Sequence, residues 1–317
     1  MNFQQLRSVR ETVRCGFNLT EVAHTLHTSQ PGVSRQIREL EEELGIDLFV
    51  RAGKRLTGLT EPGAHVLPII EGILQGSHNL RTAGQEFVAQ QSGSLSIAAT
   101  HTQARYALPT AVQEFRLQFP NVKLHLHQGS PRQVAEMLLS GEADIGIATE
   151  ALAQYADLVA LPCYRWTHSI IVPPNHALLE GPLTLEKLAR YPLITYGAGF
   201  TGRGHIDQAF AKHRIEPRIV LSAMDADVIK TYVELGMGVG IVASIAFEAE
   251  RDTQLRAIDA GALFGINLTK LALRRGSYLR AYVYALIESF APTLQRSVVD
   301  QAMVADKDKV AAEGYEI

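Results

Sequence analysis

The sequence predicts an α/β protein in three parts: a small helical head, one long helix, and a pair of α/β halves. Three observations predict it. Apolar residues recur at three- and four-residue steps through the first 45 positions, a helical pattern continues from about Thr60 to Gln90, and from Ser94 onward short apolar strands alternate with helices. With 317 residues two or three domains are expected, and 46% hydrophobic content is ample for packed cores.

The head is organised around Asn18 to Gly45, NLTEVAHTLHTSQPGVSRQIRELEEELG. Asn18 with Glu21 three residues on is a capping-box-like start, and Leu19, Val22, Ala23 and Leu26 share a helical face. Thr28 or Ser29 caps a second helix with Pro31 in its first turn, where a missing N–H costs little. Val33, Ile37, Leu40 and Leu44 follow on one face, and Gly45 supplies the left-handed position that ends many helices. A preceding helix, Asn2 to Arg14, has Phe3, Leu6, Val9 and Val13 facing inward. After Gly45, IDLFVRAGKRLTGLTEPG has Leu48 and Phe49 as anchors, a Gly53-Lys54-Arg55 tip and the alternation of a small β wing. The layout is that of a winged helix-turn-helix, a DNA-reading device, over residues 1–60. Ser29, Gln30, Pro31, Ser34, Arg35 and Arg38 lie on the N-terminal half of its second helix, and Arg51, Lys54 and Arg55 are expected beside phosphates.

Charge qualifies that reading. Residues 1–60 carry eight Lys/Arg and seven Asp/Glu, and the whole chain has a net charge of −3, so attraction to DNA must come from local placement. Glu39, Glu41, Glu42 and Glu43 are expected to face away from phosphates, which predicts moderate affinity per monomer and a need for dimers.

Thr60 caps the long helix, with Pro62 in its first turn. Leu67, Ile70, Leu74, Leu80 and Phe87 lie near one stripe, which suits a coiled-coil-like dimer contact or packing on the chain's own second half. Pro68 inside this linker (residues 61–92) predicts a bend. The stretch AQQSG, ending at Gly93, is the expected hinge.

From Ser94, SLSIAAT, a helix from about Ala104, VKLHLHQ, a helix from Arg132 and ADIGIAT make a β-α-β-α-β series, which builds a parallel sheet. A second series follows, from SIIVPP to GVGIVAS, and LTKLALRRG with the helix from Tyr278 to Phe290 returns to the first. The expected bounds are 93–162 with 267–299 for one half, 163–266 for the other, and a charged tail over 300–317. Ligands in such sheets sit beyond the C-terminal strand ends. Those ends are Thr100 to Gln103 (with His101 and Thr102), Gln128 to Pro131 (with Ser130), and Thr149 with Glu150; Thr201 and Gly202 open a helix across the cleft. Free N–H groups at two helix starts, with hydroxyl donors, suit a small oxyanion such as sulfate or a carboxylate. Arg105 and Arg203 either help or sit on the surface, and Trp166 either stacks on the ligand or belongs to the core.

Other chemistries are not legible. Gly236, Gly238 and Gly240 follow a helix and enter a strand, the reverse of a dinucleotide loop. His101 is a general base on paper, but no nucleophile or second acid accompanies it, so it is expected to pack or contact ligand and no enzyme is expected. Cys15 and Cys163 form no disulfide framework, the 11 histidines have no metal spacing, and no cofactor is expected. The N-terminus has no apolar signal core and no stretch approaches 18 apolar residues, so a cytoplasmic protein without membrane contact is expected.

TSQPGVSRQIRELEEELGIDLF near the N-terminus, with RAGKRLTGLTEPG before a long helix, resembles the LysR-type transcriptional regulators. THTQARYALP, HQGSP, IATEAL, LPCYRW, GFTGR and DADVIKTYVELGMGVG are similar to the CysB-like branch that governs sulfur assimilation and cysteine biosynthesis, and the resemblance runs to about Phe290. It implies a dimerising linker, a periplasmic-binding-protein-like effector domain and a homo-oligomer, usually a tetramer. The implied partners are double-stranded promoter DNA, RNA polymerase, and an effector among sulfate, thiosulfate, O-acetylserine, N-acetylserine and adenosine phosphosulfate. Thr100, Thr102, Gln103, Thr149 and Thr201 are the implied effector contacts. Two other readings stay open: a small-anion-binding protein without a DNA role, and a LysR-type regulator of an unrelated pathway.

Overall fold

The computed structural model describes residues 1–53, 55–88, 92–200 and 202–305. The chain divides into two compact units, Met1–Val88 and Ala89–Ile317.

In the first unit, α1 (Phe3–Arg14), α2 (Leu19–Thr25) and α3 (Gln30–Leu44) bury Leu6, Val9, Val22, Val33, Ile37 and Leu40 against one another. Each helix starts where its cap chemistry dictates. Asn2 closes a capping box with Gln5, Asn18 accepts from the Thr20 and Glu21 amides, and Ser29 accepts from Gly32. Gly45 ends α3 at φ 69°, a left-handed position where a side chain would be strained. Phe3 departs from the expected inward set: at the first position of α1 it is 47% exposed. Strands β1 (Phe49–Ala52) and β2 (Arg55–Leu59) pair antiparallel as the wing. Helix α4 (Glu61–Val88) continues through Pro68 as one element, turning Ile70 and Leu74 into the core and leaving Ile69, Leu80 and Phe87 exposed.

The second unit holds two five-stranded sheets. β3 (Ser92–Ala99), α5 (Leu108–Gln118), β4 (Asn121–Gln128), α6 (Pro131–Ser140), β5 (Ile145–Ala148) and β6 (Leu158–Trp166) build most of the first. The second half is built from β7 (His168–Val172), α7 (Leu185–Leu188), β8 (Leu193–Tyr196), α8 (Arg203–Lys212), β9 (Ile219–Ala223), α9 (Ala226–Glu234), β10 (Val239–Ala243) and β11 (Arg256–Asp259). After α10 (Gly261–Phe264), β12 (Asn267–Arg274) returns to the first sheet, followed by α11 (Ala281–Phe290) and α12 (Arg296–Val304). The strand orders are β4-β3-β5-β12-β6 and β11-β7-β10-β8-β9.

Three expectations need correction. The sheets are mixed, because β12 runs antiparallel to β5 and β6, and β7 antiparallel to β10 and β11. The first crossing between halves falls at Thr167, not at 162, because β6 continues through Trp166. Pro162 masks this strand in the sequence; it is tolerated because β6 is a sheet edge, and the register against β12 slips beside it. Finally, the first residues of the expected tail belong to α12, whose Val299 and Ala302 are buried at helical spacing. Beyond 305 that tail lies outside the described residues. So does 89–91 of the expected hinge, whose Ser92 and Gly93 already belong to β3.

Candidate functional site

Ser29, Gln30, Pro31, Arg35 and Arg38 are exposed along the first half of α3, and Ser34 is half-buried there. Arg35 reaches Glu39 at 2.7 Å, but the arginine stays 81% exposed. Arg51 and Arg55 are exposed on the wing, and Lys54 lies outside the described residues. A groove of roughly 780 Å³ between helix and wing is lined by Gln30, Ser34, Arg38, Arg51 and Gly53. Within the acidic run expected to face away from phosphates, Glu42 and Glu43 are exposed and Glu41 turns inward. Glu41 is buried, accepts from the Leu48 and Phe49 amides at 2.9 and 3.2 Å, and holds Arg51 at 2.5 Å. The carboxylate therefore ties the wing's first strand to the recognition helix and neutralises part of Arg51's charge.

In the second unit, β3 and β5 end side by side, the Thr100 amide donating to Ile147 at 3.1 Å. Thr100, Thr102, Gln103 and Thr149 are all buried at these ends. The helix after Thr100 starts at His101 rather than Ala104 and passes through a π-turn, Gln103–Ala107, before α5. Such turns are frequent at functional sites. Gln103 donates to Thr269 at 3.2 Å and accepts from the Tyr164 hydroxyl. These partners sit opposite each other on β6 and β12, the two strands leading to the crossings, with Trp166 opposite Asn267 two residues further along.

Among the described residues, Thr100 Oγ1, Thr102 Oγ1, Trp166 Nε1 and Asn267 Oδ1 are buried without a hydrogen-bond partner. Each such group costs roughly 1–3 kcal/mol unless something pairs it. Thr102 does stand beside Tyr196: burial pushes that phenol up to about 12, and the threonine and the Ala243 amide oppose the shift. Gly202 opens α8 at φ 67°, and a Cβ there would lie 2.6 Å from Asn267 Oδ1 and 2.7 Å from His168, so only glycine brings this helix start onto the crossing strands. Trp166 packs edge-on to His168 with ring centres 5.0 Å apart. It is thus core by burial, yet its indole N–H is unsatisfied.

Not every expected residue joins this cluster. Gln128 is exposed at the end of β4, and Ser130 is spent capping α6. Thr201 and the Glu150 side chain lie outside the described residues. His101 turns Nε2 toward Asp227 at 3.9 Å. Arg105 is 3.4 Å from Asp227, and Arg203 binds Asp207 at 2.7 Å and the Tyr196 carbonyl at 2.6 Å, so neither cation adds charge to the threonines. Sequence reading missed Tyr164, Thr269, Asn267 and Tyr196; no local spacing marks them. His101, Asp225 and Asp227 bring possible ligand atoms within 4.8 Å of one another, but Arg105 and Lys230 already neutralise Asp227, and no metal is assigned.

A winged helix-turn-helix joined to a two-sheet unit with neutral buried donors at its strand ends defines a ligand-responsive DNA-binding regulator. Residues 3–64 match "Bacterial regulatory helix-turn-helix protein, lysR family" and 89–295 match "LysR substrate binding domain". The chain belongs to the LysR family of transcriptional regulators, in its CysB-like branch. It is 56% identical to the HTH-type transcriptional regulator CysB of Burkholderia cenocepacia, over 100% of both chains. To the regulator SsuR of the same organism it is 57% identical, over 94% of this chain and 97% of the other. The crystal structure of the cofactor-binding domain of the Cbl transcriptional regulator matches with a TM-score of 0.65 and 48% identity, covering 68% of this chain and 95% of that one. Among the described residues no helix is long and apolar enough to cross a membrane.

Proposed function

We propose that this regulator acts in the cytoplasm on genes of sulfur assimilation, reading promoter DNA with α3 and the wing and binding a small sulfur oxyanion or acetylserine-type effector between the two sheets of its second unit. The observation that carries the effector reading is the pair of buried hydroxyls beside Gln103 and Thr149: Thr100, which lacks a partner, and Thr102, which stands against the Tyr196 phenol. Neutral donors at a helix start bind an anion without burying a counter-charge. Thr201 and Gly202 complete the cradle from the second half in this reading.

On the DNA side, Ser29, Gln30, Pro31, Ser34, Arg35 and Arg38 enter the major groove, and Arg51, Lys54 and Arg55 meet phosphates. Dimerisation uses the exposed stripe Ile69, Ile73, Leu80 and Phe87 on α4, which surrounding water would otherwise penalise. A tetramer and contact with RNA polymerase complete the assembly at the promoter. An anion-binding protein without a DNA role leaves the exposed arginines of α3 unexplained, and among the described residues no catalytic pair speaks for an enzyme.

The test is effector-dependent footprinting on promoter fragments of sulfur-assimilation genes. The parent protein should change its footprint with one of sulfate, thiosulfate, O-acetylserine, N-acetylserine or adenosine phosphosulfate, and Thr102→Ala should bind the same fragments without responding. A response retained in Thr102→Ala would remove the cradle from the account.

A further inference from the structure

One contact joins the two halves of the second unit a single turn away from the threonines. Tyr106, in the π-turn of the first half, packs against the second half's core, which includes Ile171, Ile194, Tyr196, Ala226 and Ile229. Its hydroxyl donates to Asp227 of α9 at 2.7 Å. Arg105 Nε and His101 Nε2 lie 3.4 and 3.9 Å from the other oxygen of the same carboxylate. On the far side Lys230 is 3.4 Å from Asp227, and its ammonium stands 5.2 Å from the Tyr106 ring centre, with the Arg105 guanidinium 5.5 Å from that centre. Lys230 is itself fixed by a buried pair with Asp252 at 3.0 Å. Three consecutive-turn residues of one half thus converge on one carboxylate of the other.

Burial works against ionising Asp227, but the Tyr106 hydroxyl, Lys230 and Arg105 outweigh it and hold the carboxyl below its ordinary value. The contact is therefore charged and made at neutral pH.

We propose that Tyr106 and Asp227 are positioning residues for the effector, a latch that holds the two halves at the separation the oxyanion cradle requires. This rests on the cradle reading above. Gln103 and Tyr106 belong to the same five-residue π-turn, which Gln103 anchors to Tyr164 and Thr269 of its own half, so parting Tyr106 from α9 draws the neighbouring Thr102 away from Tyr196 of the second half. Neither latch residue needs to touch the ligand. With the latch made, closure is already present and binding does not have to supply it; with it broken, only a fraction of molecules is competent, and the apparent Kd rises by the inverse of that fraction.

The chain's single tryptophan, Trp166, lies at the crossing and reports on it. Sodium sulfate is titrated into the full-length protein with Trp166 fluorescence as readout, for the parent, Tyr106→Phe, Asp227→Asn, the double variant and Thr102→Ala. Tyr106→Phe and Asp227→Asn should each raise the sulfate Kd about tenfold. The double variant should be no weaker than the worse single, because one latch is broken once. Arg132→Ala, which removes an exposed pair on α6, should titrate like the parent. A purely structural Tyr106 would lower the melting temperature and leave the Kd unchanged. Parent-like Kd in Tyr106→Phe, or additive losses in the double variant, overturns the latch. Parent-like Kd in Thr102→Ala overturns the cradle instead.

Discussion

The two units solve recognition in opposite ways. In the first, the residues assigned to DNA project from a fully packed core: Arg35 is 81% exposed, and its pair with Glu39 is a surface contact worth little to folding. In the second, the residues assigned to the effector are themselves buried, with Thr100, Thr102 and Gln103 each 1% exposed. A surface reader can lose a side chain without disturbing the fold. A buried cradle carries unsatisfied polar groups through folding, and these raise the free energy of the ligand-free state.

The sharpest way to break this contrast is to disturb a buried charge in the second unit. Lys230→Ala leaves Asp252 buried and unpaired and should cost about 3–5 kcal/mol, read by denaturant unfolding of the second unit's transition. Arg35→Ala in the head should leave unfolding unchanged while weakening promoter binding by about 1–3 kcal/mol, read by fluorescence anisotropy. An equal loss of stability would mean the arginine is structural.

Thr100→Val tests the cost of the cradle itself. Removing a buried hydroxyl that has no partner should stabilise the ligand-free protein by about 1 kcal/mol while abolishing the effector response. Destabilisation would show that the hydroxyl is already satisfied. The smallest expected effect concerns the thiols. Burial pushes Cys163 up to about 12, so maleimide at pH 8 should leave it unmodified until the second unit unfolds, and Cys15, half-buried in the head, should react first.

The same contrast explains what could be read in the sequence. The head was legible because its signals are local: Asn18, Ser29 and Gly45 mark helix ends, and Ser29 to Arg38 is one continuous stretch of α3. Even there, Glu41 hid its role, since a glutamate among three others gives no sign that it turns inward to hold the wing. In the second unit Thr100, Thr102, Gln103 and Thr149 were legible as polar ends of apolar strands. Their partners were not, because Gln103 meets Thr269 across 166 residues of sequence and Tyr164 across 61. Strand β6 escaped because Pro162 reads as a breaker, although an edge strand accepts it. The latch escaped for the same reason as the cradle's partners: Tyr106 and Asp227 are 121 residues apart.

Thermal melting of the full-length protein against sulfate, thiosulfate, O-acetylserine, N-acetylserine and adenosine phosphosulfate tests the central claim most directly. A specific ligand at 100 times its Kd should add about 2.7 kcal/mol to the stability of the second unit, a shift of a few degrees, and Thr102→Ala should abolish it. The same shift in parent and Thr102→Ala, or no shift with any of the five, would contradict an oxyanion cradle at Thr100 and Thr102.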